Sequence, residues 1–105
     1  MPVERSQIIW SPAATDDLRE IWRYFADVAS RDIADRLLRD IFKASERARR
    51  RPLAWRNRDE IVPGLRSILV RPYTVFYRVS SNGIEIVRVL HQRRNFAAIF
   101  SDPES

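Results

Sequence analysis

The segment VRVLHQRRNF, residues 87–96, places the chain's single histidine, His91, among three arginines. An imidazole can transfer protons near neutral pH, and a guanidinium can neutralise a phosphate or a carboxylate. Glu60 is a second group able to transfer a proton. Cleavage of RNA through its own 2′-hydroxyl needs an acid, a base and cations beside the reacting phosphate. A nuclease hypothesis would therefore use His91, Arg66, Arg93 and Glu60.

Alternation along the last predicted strand separates some of these groups. Arg88 would share a face with Ile84 and Ile86, and His91 would lie on the opposite face. A compact site that uses both Arg88 and His91 is therefore not expected. Arg66 would lie at one end of an otherwise apolar strand face. A lone histidine at a strand end also has a structural use, since its ring nitrogens can bind the following segment. Both roles of His91 stay open.

Two helices are expected to precede these strands. Ser11 and Pro12 are typical of a helix start, since serine caps the first turn and proline fits the first helical position. An apolar stripe with helical spacing follows over residues 14–28. Ser30 begins a second amphipathic helix, which Pro52 ends. Because only one or two residues join them, the helices are predicted to form an antiparallel hairpin.

After the helices the apolar pattern changes to a period of two. Residues 53–64 are predicted to be a loop, and strand-forming runs follow at residues 65–71, 73–79 and 84–91. Arg71-Pro72 suits the first tight turn, and Ser81-Asn82-Gly83 offers the positive φ angles of a primed hairpin turn. With SQIIW as a short first strand, the order predicts an α+β fold. It has a short N-terminal strand and an antiparallel helical hairpin packed on an antiparallel sheet with a C-terminal three-stranded meander.

Length and composition limit the alternatives. A chain of 105 residues with 45% apolar residues is typical of one globular domain, so residues 1–105 are expected to form a single unit. The absence of cysteine excludes disulfides and thiolate metal sites, and we expect no metal and no cofactor. We see no secretion signal and no membrane span, and expect a cytoplasmic protein. Residues 96–105 are expected to be a docked turn, a flexible end or a contact for a partner.

The basic character is local. Residues 43–58, KASERARRRPLAWRNR, carry seven cations and one glutamate, whereas residues 1–42 have a net charge of −2. Such a run is either a solvated helix end or a surface for an anionic partner. Trp55, among arginines, could stack on a base, anchor a protein contact or fold back over the helices. Eighteen of the nineteen cations are arginine, which suits phosphate contacts but equally follows from a GC-rich genome.

Three segments together resemble the RelE/ParE toxin superfamily. SPAATDDLREIWRYF resembles its first helix, PGLRSILVRPYTVFYRV resembles its Gly-x-Arg strand and the following tyrosine-rich strand, and IVRVLHQRRN resembles its closing strand. The His-x-Arg-Arg ending is common on the ParE side. The resemblance covers residues 8–95 approximately. It implies the toxin of a type II toxin–antitoxin system, neutralised by a small antitoxin with an acidic C-terminal segment.

The superfamily has two functional branches. RelE-like members are ribosome-dependent mRNA endonucleases, and ParE-like members poison DNA gyrase. Nucleases of this kind carry an arginine near the position of Thr74, basic residues ahead of the first meander strand and an aromatic residue after the last. Here NRDEIVPG is of mixed charge and Phe96 is the only nearby aromatic. The resemblance thus favours a ParE-like toxin that binds its target without chemistry of its own. The alternatives are a RelE-like endoribonuclease and a simple nucleic-acid-binding domain.

These hypotheses share one predicted contact surface for the target (DNA gyrase or the ribosome) or for the antitoxin. Its expected residues are Arg49, Arg50, Arg51, Trp55, Arg56, Arg58, Arg66, Tyr73, Tyr77, Arg88, His91, Arg93 and Arg94.

Overall fold

One sheet with helices on both faces organises the chain. The computed structural model describes residues 6–101. In chain order the elements are β1 (Gln7–Trp10), α1 (Pro12–Val28), α2 (Arg31–Arg50), β2 (Arg56–Asn57), β3 (Leu65–Val70), β4 (Tyr73–Ser80), β5 (Gly83–His91) and α3 (Phe96–Ser101). The strands lie in the order β1-β5-β4-β3-β2. The predicted α+β fold is confirmed, with α1 and α2 on one face of the sheet, here called the helix face.

Both predicted helix caps are present. The Ser11 side chain accepts a hydrogen bond from the Ala14 N–H and donates one to the Val87 carbonyl, so that it also joins α1 to the sheet. The Ser30 side chain accepts a hydrogen bond from the Ile33 N–H. Helix α2 ends just before Pro52, as predicted. Within residues 6–101, no helix combines the length and the apolar character that are needed to span a bilayer.

The meander of β3, β4 and β5 is antiparallel, as predicted. Two features of the sheet differ from the prediction. Strand β1 pairs with β5 in parallel, so the sheet is mixed. The segment predicted as a loop over residues 53–64 contains β2, whose two residues pair with β3. A strand of two residues is too short to produce a recognisable alternation.

The turn before β5 also differs from the expected primed geometry. Ser80 pairs with Gly83, which makes a two-residue connection, but neither Ser81 nor Asn82 has a positive φ. Gly83 has φ +144°, and a Cβ at this position would overlap the backbone of Gln7 on β1. Glycine is therefore required because β1 approaches β5 closely at this position.

The sheet separates two hydrophobic cores. The larger core lies between the helix face and the α1–α2 hairpin, and includes Ile21, Ile41 and Val75. The smaller core lies on the opposite side, here called the outer face, where α3 covers Phe76. The Phe76 ring meets the rings of Phe96 and Phe100 edge-on, at centroid distances of 4.8 and 5.0 Å. Of the predicted tail, residues 96–101 thus form a packed helix, and residues 102–105 lie outside the described residues.

An irregularity interrupts the pairing of β4 with β5. Tyr77 pairs with Ile86, and the residue before it on β4, Phe76, pairs with Arg88. Val87 is therefore an extra residue on β5. An extra residue of this kind reverses the alternation of side chains beyond it.

The predicted grouping of Arg88 with Ile84 and Ile86 is wrong for this reason, although Arg88 and His91 lie on opposite faces as predicted. Ile84 and Ile86 belong to the helix-face core together with Val89. His91 pairs with Tyr73, another residue of that core, so His91 also lies on the helix face. A pattern of period two cannot reveal a single inserted residue when apolar side chains stand on both sides of it.

Candidate functional site

An ion pair between α1 and β5 is the first feature that the sequence did not reveal. The Arg88 guanidinium donates hydrogen bonds of 2.8 and 2.9 Å to the two oxygens of Asp17, and the Val89 N–H donates a third. The hydrogen bonds that Arg88 donates to Asp17 raise the pKa of Arg88 above its usual value. Asp17 lies between Ala14 and Ile21 on the buried stripe of α1. A carboxylate in such a stripe is the sequence feature that could have indicated a buried ion pair. Arg88, predicted as a contact residue, is engaged within the fold.

His91 holds the segment that follows β5. Its Nδ1 accepts a hydrogen bond from the Arg93 N–H at 3.1 Å, and its carbonyl accepts one from the Arg94 N–H. Its ring meets the Tyr73 ring edge-on at 5.4 Å. This is the structural role that the sequence left open, and it leaves Nε2 without a partner among residues 6–101. The side chains of Arg93 and Arg94 are exposed.

The structure does not bring the candidate nuclease residues together. Arg66 pairs with Tyr77 on β4, whereas His91 pairs with Tyr73. This offset of four positions separates Arg66 from His91 by roughly 13 Å along the strand direction. Glu60 lies in the loop before β3, where it contacts Arg58. Arg66 and His91 are therefore not brought together around one phosphate.

Arg66, Tyr77 and Trp55 anchor the segment that follows α2. The Arg66 guanidinium donates to the carbonyls of Leu53 and Trp55, and the Tyr77 hydroxyl donates to the Pro52 carbonyl at 2.6 Å. The Trp55 ring packs against the helix-face core, so of its three predicted uses the structure shows the folded-back one. Tyr77 is fully buried and cannot reach a partner. Burial raises the pKa of Tyr77 to about 12.

Arg58 is also engaged within the fold. Its Nε donates to the Ser67 hydroxyl at 2.9 Å, and its guanidinium lies 5.7 Å from the Phe76 ring centre and 5.6 Å from that of Phe96. Its side chain is only 13% exposed. Cation–π contacts with two rings attach the loop before β3 to the outer-face core. Arg58 is therefore a poor candidate for binding a partner, although the sequence placed it in the basic run.

The remaining cations of the basic run face solvent. We call Lys43, Arg47, Arg50, Arg51 and Arg56 the basic surface; all five are exposed. Within residues 6–101 their side-chain charges form no ion pair. Arg49 differs, because Glu46 accepts its hydrogen bonds, and these lower the pKa of Glu46. The basic surface lies beside Phe42, which is 45% exposed. This arrangement suits an anionic partner.

Solved structures of toxin–antitoxin complexes share this fold. A chain of the chromosomal ParDE system from P. aeruginosa superposes with a TM-score of 0.73 at 21% sequence identity, over 85% of this chain and 98% of that one. A chain of the YoeB-YefM complex from Staphylococcus aureus superposes with a TM-score of 0.57 at 18% identity, over 83% of this chain and 97% of that one. At these identities the likeness establishes the fold alone.

Sequence comparison establishes the family. Residues 8–96 match the profile of the ParE toxin of the type II toxin–antitoxin system parDE. Toxin ParE1 of Mycobacterium tuberculosis is 44% identical over 89 residues, which are 84% of this chain and 91% of that protein. Toxin ParE3 of Caulobacter vibrioides is 29% identical over 92 residues, 88% of this chain and 92% of that protein. The chain therefore belongs to the ParE family, the toxins of type II toxin–antitoxin systems.

Proposed function

We propose that this ParE toxin acts by binding DNA gyrase and is neutralised by a cognate antitoxin, without breaking a covalent bond itself. The observation that carries the proposal is the separation of His91 from Arg66: they pair with β4 residues four positions apart, Tyr73 and Tyr77. An endonuclease of the RelE type would need its acid, base and cations around one phosphate. Gyrase as the target follows from the resemblance to ParE-like toxins.

The basic surface supports binding of an anionic partner. Its five cations come from one continuous segment, and none is neutralised within residues 6–101. Charge complementarity of this kind accelerates and orients association. It suits gyrase with its bound DNA. It equally suits an antitoxin with an acidic C-terminal segment. The structural relatives named above come from toxin–antitoxin systems.

The test uses the purified chain, gyrase from the same organism and supercoiled plasmid. We expect the chain to inhibit supercoiling and to cause cleaved DNA to accumulate. The variant R50Q/R51Q/R56Q removes three charges of the basic surface and should inhibit about 10-fold less. The matched control R31Q/R36Q/R39Q removes three exposed arginines nearer the start of α2 and should inhibit like the parent chain. Folded chain that leaves gyrase fully active contradicts the proposal.

A second assay addresses the nuclease alternative. His91→Ala is expected to remain toxic when expressed without antitoxin, because no step depends on the imidazole. Ribosomes carrying a defined mRNA should yield no cleavage at the A site with the parent chain. Loss of toxicity in a folded His91→Ala variant, together with mapped mRNA cleavage by the parent chain, would favour the RelE-like alternative.

A further inference from the structure

A small cleft opens between α1 and the paired ends of β4 and β5. Its volume is about 160 Å³, and Ile21 and Val89 form apolar parts of its wall. Polar side chains also line it, including Tyr24, Tyr73 and His91. The cleft lies at the Tyr73 end of β4, four positions from the residue that pairs with Arg66, and does not include the basic surface.

Tyr73 brings to the cleft wall a hydroxyl that has no hydrogen-bond partner within residues 6–101. The Tyr73 side chain is 8% exposed, and its hydroxyl forms no hydrogen bond within residues 6–101. The hydroxyl is not sealed from solvent, since no buried side-chain oxygen or nitrogen in that range lacks a hydrogen bond. A largely buried hydroxyl that reaches solvent only through a cleft is suited to bind a group that enters the cleft.

His91 adds a second donor of defined orientation. Because its Nδ1 accepts the hydrogen bond from the Arg93 N–H, the proton of a neutral ring lies on Nε2. The edge-on contact between the rings of His91 and Tyr73 holds both side chains at the same wall. The residues that line the cleft therefore include two hydrogen-bond donors, a hydroxyl and an imidazole N–H.

The charges around the cleft nearly balance. Asp17 uses both oxygens on Arg88 and Val89, so the inner negative charge is already compensated. Glu20 and Arg94 lie exposed at the rim with opposite charges. The cleft thus lacks the excess positive charge that a nucleic acid backbone requires, while its inner donors suit an acceptor with two oxygens.

We propose that this cleft binds one carboxylate side chain, supplied by an acidic residue of the cognate antitoxin. That the carboxylate comes from the antitoxin rests on the proposed function. The preference of the cleft for a carboxylate does not. Asp and Glu side chains fit the volume, whereas ligand pockets for nucleotide-sized molecules are typically about 300 Å³ or larger.

The chemistry of the cleft can be tested without antitoxin or gyrase. His91 is the only histidine, so its imidazole gives a single set of NMR signals. We expect these signals to shift saturably on addition of a glutamate blocked at both termini, and not with the equally blocked glutamine. Tyr73→Phe should weaken the binding of the glutamate probe roughly 10-fold, since one hydrogen bond to a charged group is lost. Tyr77→Phe, the same change on a hydroxyl outside the cleft, should leave it unchanged.

Three outcomes of the titration overturn the proposal. Equal shifts with the glutamate and glutamine probes would remove the preference for charge. An unshifted His91 signal in the folded chain would remove the site. Inorganic phosphate that binds more tightly than the glutamate probe would assign the cleft to phosphate instead.

The source of the carboxylate is tested with the antitoxin encoded beside the chain. His91→Asn keeps an acceptor for the Arg93 N–H and removes the Nε2 donor, so it should weaken antitoxin binding roughly 10-fold without unfolding the loop. One Asp→Asn or Glu→Gln change in the antitoxin should weaken binding of the parent chain similarly. The same antitoxin change should not weaken binding further when the toxin already carries Tyr73→Phe. If every acidic change in the antitoxin adds to the effect of Tyr73→Phe, or if the antitoxin does not bind at all, the carboxylate does not come from the antitoxin. This conclusion would hold even if the glutamate probe binds.

Discussion

Asp17 and Arg88, 71 positions apart in the sequence, form a paired ion contact that ties α1 to the free edge of β5. Strand β1 covers β5 only over residues 83–86. Beyond that point the Asp17 carboxylate takes the place of a neighbouring strand, because it accepts the Val89 N–H that a strand would otherwise accept. One side chain thus compensates a charge and an exposed strand edge at once.

Replacing Asp17 should therefore be costly. Asp17→Asn leaves the Arg88 charge, whose side chain is 19% exposed, without a counter-charge, and the free energy of unfolding should fall by about 3 kcal/mol. Asp16→Asn is the matched control, because the side chains of Asp16 and Arg19 are 68% and 67% exposed. Its effect should stay within about 0.5 kcal/mol. Urea unfolding of both variants measures the difference, and equal midpoints would show that the buried pair stabilises nothing.

Two glycines should differ sharply in their response to alanine. Gly83→Ala forces a Cβ into the Gln7 backbone and should cost about 3 kcal/mol or more, since β1 must move away. Gly64→Ala has no heavy atom within 4 Å of the added Cβ, and only its φ of +84° is strained. Its cost should be about 1 kcal/mol. Denaturant midpoints of the two variants give the comparison, and a Gly64→Ala variant as unstable as Gly83→Ala would contradict it.

Tyr77 should govern part of the stability at high pH. Its folded pKa of about 12 lies above the ordinary value of 10.0, so the folded state holds this proton more tightly than the unfolded state. The stabilisation is complete below pH 10 and is lost as the pH rises towards 12. Tyr77→Phe should lower the stability at neutral pH by about 1 kcal/mol, because the Pro52 carbonyl loses its donor.

The measurement for Tyr77 is a series of urea unfolding curves between pH 8 and pH 12. The parent chain should lose stability more steeply than Tyr77→Phe above pH 10. Burial also raises the pKa of Tyr73, so the variant retains part of the alkaline decline. Parallel curves for the two proteins would show that the Tyr77 proton is not linked to folding.

Salt should distinguish the basic surface from other arginines. Inhibition of gyrase by the parent chain should weaken as ionic strength rises, since exposed charges are screened. R50Q/R51Q/R56Q should show a shallower dependence on salt, whereas R31Q/R36Q/R39Q should keep the slope of the parent chain. The measurement is the half-inhibitory concentration at several salt concentrations. Equal slopes for all three proteins would mean that the basic surface does not contact the target.

The helices and the meander could be predicted because each depends on local chemistry. Ser11 and Ser30 accept hydrogen bonds that any helix start needs, and runs of strand-forming residues mark β3 and β4 without reference to the rest of the chain. The extra residue at Val87 and the parallel pairing of β1 depend on contacts between distant segments. No local pattern encodes them.

The candidate site was harder to predict for a related reason. The sequence shows which side chains are basic, but not which are already engaged. Arg58, Arg66 and Arg88 hold the fold together, and only the structure separates them from the exposed Arg50 and Arg51. In the same way, one hydrogen bond to its Nδ1 fixes which nitrogen of His91 faces outward.

Helix α3 has a consequence for how the molecule is made. Residues 96–101 cover the outer face only after β3, β4 and β5 have all been synthesised, so Phe76 and Leu90 stay uncovered on a nascent chain that already has its complete sheet. A chain that ends before Phe96 should therefore expose this hydrophobic surface and aggregate, rather than form a smaller toxin. Proteolytic removal of this short helix should expose the same two side chains.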